Sequence, residues 1–327
     1  MKFGIIGAGG IADWMARTIV PMAEAECYAI ASRDIEKAKA FAEKFQIPKA
    51  YGSYEELVND PEVEAVYIAT PHSHHYEHVK LCIEHGKHVL CEKAFTINAV
   101  QAEELCALAK EKGVMLTEAI WTRYMPSRTI IQDLLAEGVI GDVRTLTANL
   151  SYYICEKERI IRPELAGGAL LDIGIYPLNF ALMHFGNGYM DMQSTVLKTE
   201  QGLDGQECIT MTWPDGKFAV LTSSIYGLSD RQGIFYGSKG YLVVDNINNP
   251  LNIDIYDKAR TLVRHIDMPK QITGYEYEVL EMIDCIKKGE LECPSMPHCE
   301  TLRVMRIMDG LRREWGVVYP QELSETP

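Results

Sequence analysis

The stretch formed by residues 66–93, VYIATPHSHHYEHVKLCIEHGKHVLCEK, constrains the fold more than any other part of the chain. An apolar strand stops just after Thr70, a helix follows and ends at Gly86, and a second apolar strand leads into Glu92 and Lys93. In doubly wound sheets, ligands bind outside the carboxyl ends of the strands. We therefore expect Thr70 and Lys93 to lie at the ligand-binding edge of a parallel sheet.

Strand and helix patterns divide the chain into two parts. Short apolar strands alternate with helices through the first third, which is typical of a parallel sheet with crossover helices. After about residue 120, strands follow one another with only turns between them, which indicates an antiparallel sheet. The predicted strands cover residues 3–6, 27–31, 65–69, 88–90, 114–117, 143–153, 207–213, 218–225, 233–236, 241–244 and 251–256. The sequence therefore predicts an α/β protein: a Rossmann domain with a doubly wound parallel sheet over residues 1–120, then an α/β domain with an open, mainly antiparallel sheet over residues 121–327.

Charge and cysteine content exclude several classes of partner. The 46 acidic and 32 basic residues give a formal net charge of −14, which disfavours binding to nucleic acid and to anionic membranes. The nine cysteines include no C-x-x-C pair, so neither a disulfide framework nor a structural zinc site is indicated. The chain enters a strand within a few residues of Met1, and no apolar run approaches the length of a membrane span. We expect a cytoplasmic protein that acts on a small soluble ligand.

A glycine-rich turn follows the first predicted strand. Its sequence GAGGIA has the G-x-G-x-x-[G/A] form of a dinucleotide-binding turn, and its residues are Gly7, Gly9, Gly10, Ile11 and Ala12 around one alanine. Glycines permit a tight turn and let the backbone approach a pyrophosphate at the helix N-terminus. A tight turn without a ligand would contain similar glycines, but the position between a strand and a helix favours dinucleotide binding.

The end of the second predicted strand indicates which dinucleotide is bound. NAD-specific sites carry an acidic residue here for the ribose hydroxyls, whereas this chain has Ser32 and Arg33. A hydroxyl and a guanidinium suit a 2′-phosphate, and Asp34 is more simply a helix cap. The sequence therefore favours NADP, with NAD as the alternative.

Lys93 has a candidate partner in the second part of the chain. Residues 167–178, GGALLDIGIYPL, place Asp172 and Tyr176 four residues apart, so both side chains would share a face of a helix. A lysine ammonium beside a tyrosine stabilises the phenolate and lowers its pKa, which lets the tyrosine exchange a proton. Oxidation of an alcohol by hydride transfer requires such a group, because the hydroxyl must lose its proton. A solvated lysine and an interior tyrosine are the alternative explanation.

Four segments carry a resemblance to a known family, and in chain order they are GIIGAGGIA, ATPHSHHYEHVKLCIEHGKHVLCEKA, EAIWTRYMP and GGALLDIGIYPL. Together they resemble the glucose–fructose oxidoreductase / inositol dehydrogenase (Gfo/Idh/MocA) family over nearly the whole chain. The ending MPHCETLRVMRIMDGLRREWGVVYP is similar to the branch of dimeric dihydrodiol dehydrogenases and NADP-dependent D-xylose dehydrogenases.

The resemblance implies roles for individual residues. Lys93 and Tyr176 would be the catalytic pair, with Asp172 nearby. Residues around the cofactor would include, besides the glycine turn, Ser32, Arg33, Thr70, Pro71, His75, Glu92 and Lys93. Residues that line the substrate site would be Trp121, Arg123 and Tyr176.

The chain departs from the family pattern in two places. The family usually has Glu-Lys-Pro where this chain has Glu92, Lys93 and Ala94, and His72 stands where asparagine is common. Proline allows a cis peptide bond at low cost, so a trans bond and a cis bond after Lys93 both stay open.

Four histidines close together suggest a metal site, and they are His72, His74, His75 and His78. His74 and His78 are one helical turn apart, but no nearby carboxylate or cysteine completes a tetrahedral set at the usual spacing. Hydride transfer also requires no metal. We therefore predict no metal site.

The sequence predicts an NADP-preferring oxidoreductase that transfers hydride between nicotinamide and a secondary alcohol or carbonyl of a sugar or cyclic diol. The apolar strand FAVLTSSI of the open sheet also implies a homodimer or a higher homo-oligomer through that face. A catalytically silent nicotinamide-binding sensor and a glycosidase with tightly bound NAD are the alternatives. Retention of both Lys93 and Tyr176 favours the enzyme over the sensor.

Overall fold

The computed structural model describes residues 1–323 and divides into two compact units. The first unit contains Met1–Tyr124 and Gln271–Arg306, and the second contains Met125–Lys270 and the described residues from 307 onward. The sequence had assigned all of residues 121–327 to the second domain, whereas the structure groups 271–306 with the first unit. Backbone contacts explain the grouping, because the N–H of Leu116 donates to the carbonyl of Leu291 at 3.1 Å.

A six-stranded sheet forms the core of the first unit. Its strands are β1 (Lys2–Ile6), β2 (Glu26–Ala31), β3 (Lys49–Tyr51), β4 (Ala65–Ile68), β5 (His88–Glu92) and β6 (Leu116–Ala119). They lie in the order β3-β2-β1-β4-β5-β6, and every neighbouring pair is parallel. This is the strand order of the Rossmann fold, which confirms the predicted doubly wound sheet.

Eleven α-helices lie along residues 1–323. They are α1 (Gly10–Ile19), α2 (Ile35–Phe45), α3 (Tyr54–Asn59), α4 (His75–Glu84), α5 (Ala99–Lys112), α6 (Pro126–Ala136), α7 (Glu158–Ile161), α8 (Ile175–Phe185), α9 (Glu276–Lys288), α10 (His298–Trp315) and α11 (Pro320–Leu323). Three shorter 3₁₀ turns span His72–His74, Trp121–Arg123 and Pro163–Leu165, and a π-helical turn spans Leu170–Gly174.

The helix boundaries follow from local capping. The Asp34 carboxylate accepts the N–H groups of residues 36 and 37 at 3.0 and 3.3 Å and so begins α2. Ser53 and Asn98 cap α3 and α5 in the same way. Gly113 ends α5 with φ +66, a left-handed conformation that favours glycine. The helix cap that the sequence predicted at Asp34 is confirmed.

An eight-stranded sheet forms the core of the second unit. Its strands are β7 (Val143–Ser151), β8 (Asp191–Lys198), β9 (Asp204–Thr212), β10 (Phe218–Ser224), β11 (Gly233–Gly237), β12 (Gly240–Val244), β13 (Asn252–Asp257) and β14 (Leu262–Asp267). The order is β14-β13-β12-β11-β7-β10-β9-β8, and the neighbours are antiparallel except for the parallel pair of β7 and β10. This confirms the predicted open and mainly antiparallel sheet.

One face of the second sheet is covered and the other is open. Helix α8 packs on β7 and β10. Along β10, Ala219, Leu221 and Ser223 are buried, whereas the intervening side chains are more exposed and Phe218 is 42% exposed. This alternation is that of a strand with one face in the core. The prediction that no apolar run approaches the length of a membrane span is wrong for one stretch of residues 1–323, because Pro163–Phe185 is long and apolar enough. In the structure, 94% of its apolar window is buried inside the protein, as in a core helix.

Candidate active site

The glycine turn leaves room for a ligand at the start of α1. Gly7 has φ +98, and a Cβ there would lie 3.0 Å from the carbonyl oxygen of Ala69, so this position requires glycine. At Gly9 and Gly10, no described residue outside the immediate turn and helix lies within 4 Å of an added Cβ. Helix α1 also has no side-chain cap among the described residues. Its first amides are therefore suited to a pyrophosphate, as a dinucleotide site requires.

Ser32 and Arg33 directly follow β2. Ser32 is buried and its hydroxyl accepts the N–H of Asp34 at 3.3 Å, whereas Arg33 is exposed. Burial raises the pKa of Tyr54, and the neighbouring Arg33 guanidinium opposes that rise. Burial, and after it the charge of Arg33, lower the pKa of His74. The end of β2 therefore presents an exposed cation flanked by uncharged aromatic groups, a suitable environment for a phosphate.

His75 connects the ends of β4 and β5. Its Nε2 lies 2.8 Å from the carbonyl oxygen of Thr70, and its Nδ1 lies 2.9 Å from the carbonyl oxygen of Ala94. The ring is completely buried, and burial lowers the pKa of His75 to about 4 against the opposing effect of these carbonyls. A neutral imidazole carries one N–H, so it donates to one of these carbonyls and only contacts the other. The ring thus lies between the residue before Pro71 and the residue after Lys93.

Glu92 and Lys93 end β5 as predicted. The Tyr67 hydroxyl donates to Oε1 of Glu92, and the backbone N–H of Lys93 donates to Oε2 at 3.2 Å. Glu92 is buried and Lys93 is partly exposed. The Lys93–Ala94 peptide bond is cis, which decides between the two isomers that the sequence left open.

Two further carboxyl groups lie buried in this unit, and the sequence analysis did not single them out. Burial raises the pKa of Glu118 to about 7, although its Oε1 accepts the N–H of Phe95 at 3.2 Å. Burial and then the charge of Glu92 raise the pKa of Glu278 well above its usual range. A charged residue inside an otherwise apolar strand was the one available signal for Glu118, and Glu278 is part of an ordinary helical pattern.

Trp121 and Arg123 are both buried inside the first unit. The Trp121 indole stacks on the Tyr275 ring with 4.1 Å between the centroids, and Arg123 pairs with Glu300 at 3.2 Å. These contacts fix the two side chains after β6. Their role at the substrate stays a prediction.

Asp172 and Tyr176 lie in the second unit, at the start of a buried helical stretch. Asp172 belongs to the π-helical turn and Tyr176 to the first turn of α8, so the segment that was predicted as regular helix is wider than an α-helix around Asp172. Arg159 forms a two-point ion pair with Asp172 at 2.5 and 3.2 Å. Arg159 lies in the chain before this turn, and Asp172 gives it a buried partner.

The histidine cluster is accounted for by other contacts. His78 Nδ1 lies 3.0 Å from the Thr70 hydroxyl, and burial lowers the pKa of His78 to about 4. In residues 1–323, no group of three histidine, cysteine or acidic side chains is arranged to hold a metal ion.

Comparisons with known proteins agree with this geometry. Residues 1–120 match the model of an oxidoreductase family with an NAD-binding Rossmann fold, and residues 129–243 match the GFO/IDH/MocA C-terminal domain. A trans-1,2-dihydrobenzene-1,2-diol dehydrogenase from Xenopus tropicalis is 37% identical over 98% of this chain and 99% of its own. The human protein of the same name is 34% identical with the same coverage.

Solved structures show the same fold. A 3-ketoreductase from Actinomadura kijaniata, in complex with NADP and TDP-benzene, superimposes with a TM-score of 0.86 at 27% identity, over 96% of this chain and 97% of its own. An aldose–aldose oxidoreductase from Caulobacter crescentus gives a TM-score of 0.84 at 21% identity, over 97% of each chain, and shows the fold alone.

The Rossmann sheet, the open glycine turn and these relatives define an NAD(P)-dependent oxidoreductase that acts on CH–OH groups. The chain belongs to the Gfo/Idh/MocA family.

Proposed function

We propose that the protein is an NADP-preferring dehydrogenase that reversibly oxidises a secondary alcohol of a cyclic diol or a sugar. The observation that carries the proposal is the position of Lys93, directly after β5 of the cofactor-binding sheet and tied through His75 to the end of β4. Ligands of such sheets bind at this edge. The dihydrodiol dehydrogenases that are 34–37% identical over nearly the full length support a cyclic vicinal diol as the first substrate class.

Each residue of the site has a separate role in the reaction. When bound, NADP⁺ supplies the group that accepts the electrons of the alcohol. The Tyr176 phenolic oxygen takes the proton of the substrate hydroxyl, and the Lys93 ammonium stabilises the phenolate form that can do so. Asp172 and its partner Arg159 keep the loop beside Tyr176 in place. The protein thus contributes orientation and a proton acceptor.

Preference for NADP rests on the end of β2. Ser32 and Arg33 offer a hydroxyl and a guanidinium where an acidic ribose ligand would repel a phosphate. The ketoreductase relative, at 27% identity, has been solved with NADP, which is in line with this choice.

The assembly and cellular location belong to the same proposal. The open face of the second sheet, which includes Phe218 on β10, is the surface through which we propose a homodimer or higher homo-oligomer. The high acidic charge supports a protein that binds neither nucleic acid nor membrane. The nine free cysteines support a cytoplasmic location.

The proposal is tested by mixing purified protein with NADP⁺ or NAD⁺ and with trans-1,2-dihydrobenzene-1,2-diol, aldoses or inositols. We expect reduced-nicotinamide absorbance to rise fastest with NADP⁺ and at least one of these compounds. No turnover across the panel, despite tight binding of NADP⁺, would instead favour a sensor. Cofactor that co-purifies, is not consumed and supports cleavage of glycosides would favour the glycosidase.

A further inference from the structure

The π-helical turn Leu170–Gly174 sets the relation between Asp172 and Tyr176. All five of its residues are buried, Asp172 lies at its centre, and Tyr176 follows two residues after its end. A π turn contains about one residue more than an α turn, so relaxation to an α-helix would rotate the two sides of the turn by roughly 100° relative to each other. The contacts that maintain the π-helical conformation therefore determine the orientation of the Tyr176 hydroxyl relative to Asp172.

Asp204, at the start of β9, contacts the beginning of this turn. Its Oδ2 accepts the backbone N–H of Leu170 at 2.5 Å, and the carboxyl group is completely buried. A Cβ at Gly168 would lie 2.5 Å from Asp204 Oδ1, so glycine is needed there for the approach as well as for its φ of +111. The Asp204 carboxylate thus acts as an N-terminal cap for the helical stretch that begins with the π turn, although Asp204 lies on strand β9.

Glu207, three residues further along β9, contacts the end of the turn. A Cβ at Gly174 would overlap its Oε1, which accepts the Ser223 hydroxyl. Gly174 has φ −64 and ψ −27, a conformation that alanine also adopts. Glycine at this position is therefore explained by the space that the Glu207 carboxyl occupies and not by backbone conformation.

The two carboxyl groups have different surroundings. Burial raises the pKa of Asp204 to about 6, while the N–H groups at the start of the turn and Arg312 oppose the rise. Burial and then the charge of Asp204 raise the pKa of Glu207 well above its usual range. Asp204, beside a helix N-terminus, thus has backbone donors that favour its charged form, whereas Glu207 fills the space next to Gly174.

We propose that Asp204 and Glu207 are positioning residues that hold the π turn at both ends and so aim Tyr176 and Asp172 at the substrate. The inference rests on the proposed function, because it assigns these residues to the proton-transfer step. Asp204 and Glu207 are at most 2% exposed, so neither carboxyl group is accessible to act as an acid or a base on the substrate.

The experiment measures kcat, KM and cofactor affinity for Asp204→Asn and Gly174→Ala with NADP⁺ and the fastest substrate of the panel above. We expect kcat to fall at least tenfold in both, with KM and the Kd for NADPH changed less than threefold. Gly188→Ala is the matched control, since Gly188 lacks a positive φ and no described residue lies within 4 Å of its added Cβ. It should retain wild-type kcat.

A double variant separates positioning from general damage to the core. In Gly174→Ala/Glu207→Ala the overlapping carboxyl is removed, and the nearest remaining contact of the new Cβ is the Ser223 hydroxyl at 3.0 Å. We expect kcat to recover at least threefold relative to Gly174→Ala alone. Glu207→Ala alone completes the cycle. A double variant no better than the product of the Gly174→Ala and Glu207→Ala effects, or wild-type kcat in folded Asp204→Asn and Gly174→Ala, would overturn the inference.

Tyr176→Phe distinguishes this failure from failure of the proposed function. If Tyr176→Phe retains wild-type turnover, the assignment of the proton acceptor itself is wrong, and the positioning role with it. If Tyr176→Phe loses turnover while Asp204→Asn and Gly174→Ala keep it, only the positioning role is wrong.

Discussion

His75 fills the space between two strand ends that carry predicted cofactor contacts, and its neutral ring donates to one of the two backbone carbonyls that it faces. One nitrogen faces the carbonyl of Thr70 and the other that of Ala94, at 2.8 and 2.9 Å. Family resemblance implied that His75 lies near the cofactor. The structure shows a buried residue that connects two strand ends, so its contribution is to the shape of the site.

Replacing His75 tests that role. We expect His75→Ala to lower the free energy of unfolding by about 1–3 kcal/mol, because one buried carbonyl loses its hydrogen-bond donor, and to lower kcat by at least tenfold. Chemical unfolding and the NADP⁺ reduction assay measure both effects. The exposed His85, which ends α4 with its Nδ1 2.8 Å from the Leu81 carbonyl, provides the control. If His75→Ala changed the free energy of unfolding and kcat no more than His85→Ala does, the contacts of His75 would have no role in the site.

Arg33 decides the cofactor preference in this account. Loss of one charge-assisted contact to a 2′-phosphate should lower kcat/KM for NADP⁺ by about 10- to 100-fold, equivalent to roughly 1.5–3 kcal/mol. Arg33→Ala should leave kcat/KM for NAD⁺ within about threefold, since NAD⁺ has no such phosphate. The exposed Lys37→Ala is the matched control. An equal loss with both cofactors would show that Arg33 does not read the phosphate.

At the scale of elements, the sequence predicted those whose burial pattern is strong and missed those at sheet edges. The strands β3, β8 and β14 were not predicted. β3 has three residues, and β14, LVRHID, is exposed along nearly its whole length, so neither shows an apolar period. Their pairing comes from neighbouring strands rather than from their own composition.

The π turn was missed for a related reason. Residues 167–178 read as a regular helix, because the sequence of the turn itself gives no sign of the extra residue. The groups that contact it, Asp204 and Glu207, are about 30 residues away in the chain, and a local pattern cannot reveal such contacts.

One glycine inside a helix and one glycine that ends a helix should respond in opposite ways to substitution by alanine. Gly310 lies inside α10, has no positive φ and has no described neighbour within 4 Å of an added Cβ, so Gly310→Ala should stabilise the protein by about 0.5–1 kcal/mol. Gly113 has equal space but φ +66, so Gly113→Ala should destabilise it by about 1 kcal/mol. Urea unfolding of both variants checks the signs. The same sign in both would contradict the assigned backbone conformations.

At the scale of the whole molecule, the sequence predicted both sheets but not the membership of residues 271–306. The apolar face of α9, with Val279, Met282 and Ile283, showed that the helix is buried, without showing on which sheet. Only long-range contacts, such as the 2.8 Å approach of His298 Nε2 to the Leu116 carbonyl, decide the grouping. Buried carboxyl groups are hard to predict from sequence for the same reason, since long-range contacts decide which acidic side chains are removed from solvent.

These buried acids predict how stability depends on pH. Glu118 has a folded-state pKa of about 7 against a usual 4.5, so the folded state binds more protons than the unfolded state between these values. Its contribution to stability is therefore fully present below about pH 4.5 and is lost as the pH rises through 7, by roughly 2–4 kcal/mol. Burial makes Asp204, Glu207 and Glu278 act in the same direction.

Unfolding free energies at pH 5 and pH 8 test this dependence. We expect wild-type protein to be more stable at pH 5, and Glu118→Gln to reduce the difference by on the order of 2–3 kcal/mol. The amide keeps an oxygen for the Phe95 N–H and cannot ionise. An unchanged difference in Glu118→Gln would show that Glu118 is charged in the folded protein throughout this range.

Two substitutions test whether Lys93 and Tyr176 transfer the proton during alcohol oxidation by NADP⁺. Wild type, Lys93→Met and Tyr176→Phe are assayed for NADP⁺ reduction with trans-1,2-dihydrobenzene-1,2-diol and the aldose panel, and NADPH binding is measured in parallel. We predict that each variant loses about 10²- to 10⁴-fold in kcat while it still binds NADPH within about tenfold of wild type. Wild-type turnover in either variant, or a wild-type protein that binds NADPH tightly and oxidises none of these alcohols, would contradict the account.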